Sequence, residues 1–124
     1  MLVQSINSSV HFSGAKEIDA IAKKYARTPQ DRQLAELAKV AQDAEFEITG
    51  DGEYSIPEER AKVDKFEKAV KESKNDKLAF YLLNDFRNTS GNFYMPTTIT
   101  KAIMKGIAQR SDKISKQEVL DHLV

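Results

Sequence analysis

Few side chains in this chain have both the type and the spacing to do chemistry. Its two histidines, His11 and His122, stand near opposite ends, and neither has a second metal-ligand residue at a useful spacing. There is no cysteine, which removes disulfides, thiolate catalysis and Cys-based zinc sites. Serines are plentiful, but none sits in a nucleophile elbow, and no glycine-rich phosphate loop is present. The Glu58/Glu59 pair lies beside cations where a helix should begin, so it reads as helix-start electrostatics. What remains is the stretch from Phe46 to Pro57. Read as a β-hairpin, it pairs Phe46 with Ile56 and Ile48 with Tyr54 across Gly50-Asp51-Gly52. Phe46, Ile48, Tyr54 and Ile56 then share one face, and cross-strand pairs of this kind contribute roughly 0.2–1 kcal/mol each.

Extended to Glu58, the same residues resemble the twelve-position loop of an EF-hand. Glu47 stands at position one, Thr49 at three, Asp51 at five and Gly52 at six, where that family needs a sharp turn. Tyr54 takes the apolar eighth place, Ser55 the ninth and Glu58 the twelfth. The resemblance implies calcium, held by the side chains of Glu47, Thr49, Asp51, Ser55 and Glu58 with the carbonyl of Glu53. The flanking helices follow a different phase. Before the loop, the positions that an entering EF-hand helix buries are Phe46, Asp43, Gln42 and Lys39, only one of them apolar. After it, Glu59 and Lys62 fall where the exiting helix should be apolar. The hairpin is therefore the expected structure, and a calcium-binding EF-hand-like regulatory module is the alternative.

Composition narrows the remaining classes. At 124 residues the chain should be one domain, 1–124, large enough to bury a core without staples. Nineteen basic residues balance nineteen acidic ones, whereas a nucleic-acid binder usually carries a basic surplus. No run approaches the roughly 18 apolar residues of a membrane span, and the N-terminus lacks a signal-peptide pattern. A soluble cytoplasmic protein, without a membrane partner, is the expectation.

The elements that must position any site are mainly helical. Residues 1–13 read as a short strand or arm. Helix one is expected at about 15–27, through Ile18, Ile21, Ala22 and Tyr25. Thr28-Pro29-Gln30-Asp31 starts helix two, which runs to about 44 on a stripe of Leu34, Leu37, Ala38, Ala41 and Ala44. Ser55-Ile56-Pro57-Glu58 offers a cap for helix three, about 57–73, with Val63, Phe66 and Val70 inward. Helix four, about 76–87, is apolar around most of its circumference and should be central. Helix five starts near Thr97 on Ile99, Ala102, Ile103 and Ile107. Ser115-Lys116-Gln117-Glu118 is a capping box for a last helix burying Val119, Leu120 and Leu123.

The fold expected is thus a mainly α single-domain bundle of about six helices, with one β-hairpin at about 45–57 between helices two and three. The function expected is a non-enzymatic protein-interaction module. Its contacts are expected at the 88–98 loop, where Phe93, Tyr94 and Met95 sit among Asn, Thr, Ser and Gly, or at an exposed helix face. A winged helix-turn-helix made from helices one and two with the hairpin is the weakest reading. Its turn lacks glycine, and Asp31 and Glu36 would meet phosphate.

Overall fold

The computed structural model describes residues 15–49, 52–89 and 95–124, with the backbone alone described at 46–49, 52–55 and 89. The arm expected at 1–13 lies outside the described residues. The described part is mainly helical, with six helices: α1 over 15–25, α2 Pro29–Gln42, α3 Pro57–Glu72, α4 Asp76–Thr89, α5 Thr97–Arg110 and α6 Lys116–Leu123. No described helix is long and apolar enough to cross a membrane.

Two of the starts follow local chemistry visible in the sequence. Thr28 caps α2 by accepting from the Asp31 amide at 3.1 Å, while the Asp31 carboxylate accepts from the Thr28 amide at 3.3 Å. Ser115 and Glu118 form the same reciprocal box at the head of α6, at 3.0 and 2.9 Å. The start of α3 departs from expectation. Pro57 takes the first helical position, which makes Ile56 the N-cap and leaves the helix without a side-chain cap bond, so Ser55 stands one residue too early. Along α3, Lys71 pairs with Glu67 at 2.7 Å and Lys62 with Glu59 at 2.9 Å. The 43–56 connection is tied to α3 where the Glu45 amide donates to Glu59 Oε1 at 3.1 Å.

The described helices share one core, and α4 is its axis. Leu78, Ala79, Phe80, Leu82, Leu83 and Phe86 are all fully buried, as a helix apolar on most sides must be. This helix meets each of the other five. Tyr81 stacks on Tyr25 of α1 at 5.1 Å between ring centroids, and Phe86 packs on Phe66 of α3 at 5.4 Å. Gln42 of α2 donates to Asp85, Arg110 of α5 to Asp76, and the Tyr81 hydroxyl bonds Glu118 of α6.

Two helix phases differ from those the aliphatic pattern predicts. In α5 the buried side is Thr100, Met104 and Ile107, while Ile99 is 45% exposed and Ala102 faces solvent. Thr100 tolerates complete burial because its hydroxyl donates to the Pro96 carbonyl at 3.1 Å, leaving the methyl to pack. In α6, Leu123 is buried and Val119 partly so, but Leu120 is 56% exposed. Ile114, just before the helix, is buried in the core that Leu120 was expected to reach.

Candidate functional site

Three helix ends meet in one polar knot. Asn75 stands in the short turn between α3 and α4 and caps α4, its Oδ1 accepting from the Leu78 amide at 3.1 Å. Its Nδ2 donates at 2.9 Å to the Tyr25 carbonyl, at the end of α1, and at 2.9 Å to Asp31 Oδ2, in the first turn of α2. Its own amide donates to Ser73 Oγ at 3.0 Å. The same Asp31 oxygen also accepts the Arg27 amide at 2.8 Å. Burial works to raise the Asp31 carboxyl. The hydrogen bonds from Asn75, from the Arg27 and Thr28 amides and from the Thr28 hydroxyl outweigh it and hold the group below its ordinary value.

Around this knot opens a cleft of about 1190 Å³. One wall is α2, with Gln30, Gln33, Leu34 and Leu37; the facing wall is the α3–α4 turn and the end of α5. Its apolar part comes from Tyr25, Leu34, Leu37 and Ala69, and its rim carries both signs of charge, Arg27, Lys74, Lys77, Arg110 and Lys113 against Glu72, Asp76 and Asp112. Arg110 and Asp76 are bound to each other at 2.9 Å. Lys77 lies 3.5 Å from Glu118, and the others line the opening.

A second cluster lies along α4. The Tyr81 hydroxyl bonds the Glu118 carboxylate, to which Lys77 also approaches at 3.5 Å. His122 stands edge-on to Tyr81 and Phe80, at 5.5 and 6.0 Å. Burial and the neighbouring carboxylate both push the Tyr81 phenol up. Burial would raise Glu118 too, but the Ser115 amide, the Tyr81 and Ser115 hydroxyls and Lys77 prevail and push it down to about 2. Farther along α4, burial raises Asp85, only partly offset by Gln42 Nε2 donating at 2.6 Å, with Glu17 adding to the rise.

The residues singled out from sequence are distributed as follows. Asp51 lies outside the described residues, as do the side chains of Glu47, Thr49, Glu53 and Ser55. Glu58 is exposed in the first turn of α3. Among the described residues, no three His, Asp or Glu side chains converge on one point. Phe93 and Tyr94 lie outside the described residues, and Met95 belongs to the core at 2% exposure. His11 also lies outside the described residues, while His122 packs on the α4 aromatics. The Asn75 knot was not singled out. Its local signal is an Asn directly before a helical run, but the partners that make it a junction are 44 and 50 residues away. Compared with known protein families, with curated proteins and with solved structures, the chain finds no match.

Proposed function

We propose that this chain is a non-catalytic protein-interaction module that receives an extended segment of another protein in the cleft between α2 and the α3–α4 turn. The observation that carries this reading is the cleft itself, an open trough with an apolar floor and a rim of both charges, held by helix ends that are tied together. Such a surface suits a partner segment with one apolar anchor flanked by charged residues. Of the 88–98 connection, Met95 serves the core, and Phe93 and Tyr94 are the two side chains of that loop proposed to add partner contacts.

The hairpin belongs to this reading as architecture that joins α2 to α3. Its support is an antiparallel backbone ladder of Phe46–Thr49 against Gly52–Ser55, with Phe46 opposite Ser55 and Thr49 opposite Gly52. That register lies one residue from the pairing the apolar alternation predicts, and it places two residues rather than three between the strands. Calcium ligation by Glu47, Thr49, Asp51, Glu53, Ser55 and Glu58 remains the competing use of the segment, and a calcium titration separates the two.

The test of the cleft is affinity capture with the full chain and with Leu37→Arg/Lys74→Glu, which changes floor and rim together. A protein retained by the native chain is expected to be lost from the variant, with helix content unchanged by circular dichroism. Retention of the same proteins by both would refute the cleft as the docking site.

A further inference from the structure

Between Asp85, which is buried, and Asp112 the chain carries no carboxylate side chain for 26 residues, while it carries Arg87, Lys101, Lys105 and Arg110. All of α5 falls in that run, and α5 is the one described helix without Asp or Glu. Arg110 is paired with Asp76 and Arg87, on α4, bonds Asn84, so the cationic pair of α5 that the neutral total hides is Lys101 and Lys105. The α5 phase decides what the surface around them looks like. With Thr100, Met104 and Ile107 turned inward, the solvent side presents Thr98, Ala102, Lys105 and Gln109 in line at spacings of three and four, with Lys101 half-exposed on one flank. Gly106 lies on the other flank, where a Cβ would meet nothing within 4 Å. Small residues at 102 and 106 keep this side low, its charged groups are cationic, and Thr98 and Gln109 can both donate and accept. At the N-terminus the cap residue is Pro96, which provides no side-chain cap bond.

We propose that the solvent face of α5 is a contact surface for double-stranded DNA. Charge selects the partner. A helix with lysines and no carboxylate is attracted to phosphate, and phosphate neutralisation supplies most non-specific affinity. Shape selects the duplex. From Thr98 to Gln109 the face extends about 16 Å, and a helix about 10–12 Å across with its side chains fits the major groove of B-DNA, about 12 Å wide. The equivalent groove of an RNA duplex is too narrow for side chains to read. In this placement Lys101 and Lys105, one turn apart on the same side of the helix, reach phosphates of one strand, Gln109 and Thr98 offer hydrogen bonds to base edges, and the first amides of α5 face a phosphate. The surface is separate from the cleft, so a protein and DNA bind the chain at different places.

Fluorescence anisotropy of a labelled 20-base-pair duplex with the full chain tests this. Saturable binding at 50 mM salt is expected, weakening about 40-fold by 200 mM if about three phosphates are neutralised. Lys101→Glu/Lys105→Glu should lose at least tenfold in affinity and flatten the salt dependence. Gly106→Glu, which puts a carboxylate in open space on the same helix, should weaken binding in the same direction. Lys65→Glu/Lys68→Glu, reversing two exposed lysines of α3, should leave affinity within about twofold. Three results would each overturn the proposal: no saturable binding at 50 mM salt, equal losses in the α5 and α3 variants, or equal affinity for a duplex RNA of the same sequence. None of them bears on the cleft, which is read by protein capture.

Discussion

Replacing Asn75 with Ala removes three hydrogen bonds that hold the ends of α1, α2 and α4 in one place. Loss of the cap on the Leu78 amide costs about 1 kcal/mol. The donor to the Tyr25 carbonyl is a neutral bond of about 1 kcal/mol, and the donor to Asp31 goes to a carboxylate, where about 1.5–3 kcal/mol is usual. Asn75 is only partly buried, so water replaces some of each bond, and a net loss of about 2–3 kcal/mol is expected. For a chain of this size that lowers the melting temperature by about 10 °C. Urea denaturation followed by circular dichroism and tyrosine fluorescence measures it, since the chain has no tryptophan. The loss should be coupled to Asp31. The double variant Asn75→Ala/Asp31→Ala should cost at least about 1 kcal/mol less than the sum of the single ones. The pH dependence has a definite sign. The Asp31 value is held down in the fold, so its contribution is present above the ordinary carboxylate range and disappears as pH falls through the folded value. Removing Asn75 relaxes that depression, so the gap between native and variant should narrow by the Asp31 share as pH falls below the ordinary carboxylate range, while the losses at the Leu78 amide and the Tyr25 carbonyl persist. A cost under about 0.5 kcal/mol, or additive single effects, would refute the picture of a junction.

Glu118 is pushed down to about 2 in the fold, so its stabilisation is complete above the unfolded carboxylate value and is lost between about pH 4.5 and 2. Glu118→Gln should therefore be less stable at pH 7 but show a flatter acid limb in a pH series of denaturant midpoints. Tyr81 is shifted upward, so the same latch should weaken from the alkaline side as pH rises above about 10, and Tyr81→Phe should remove that alkaline dependence. Gly106→Ala should raise stability by about 0.5–1 kcal/mol, because the helix gains a better former and the new methyl meets nothing within 4 Å. On the structural reading of 46–57, millimolar calcium or a chelator should leave the melting temperature unchanged; a calcium-dependent rise of several degrees would favour the ligand reading.

Much of the helical scaffold was legible because its signals are local. Thr28-Pro29 and Ser115–Glu118 carry their caps within one turn, and α4 advertises a central place through an apolar circumference. The phases of α5 and α6 were not, and the cause is specific. Counting aliphatic groups favours Ile99 and Leu120, whereas the core accepts Thr100, made apolar by the Pro96 carbonyl, and Ile114, which lies outside any helical period. Ser55 misled because the proline after the next residue decides where α3 begins. The cleft was legible only as separate parts. Tyr25 and Asp31 belong to two helices and Asn75 to the turn before a third, and nothing in the short-range pattern joins positions that distant. The cationic run of 86–111 was readable from the chain, but a neutral total concealed it.

A helix that touches all five of its companions has a consequence for how the molecule comes apart. No cut through the bundle leaves two halves that each keep a complete interior, because every half would need α4. Opening should therefore be all-or-none, with circular dichroism and tyrosine emission tracing one curve. Amide hydrogens near Leu82 and Leu83 should exchange only when the entire bundle dissolves, while those near Leu123 exchange through local fraying.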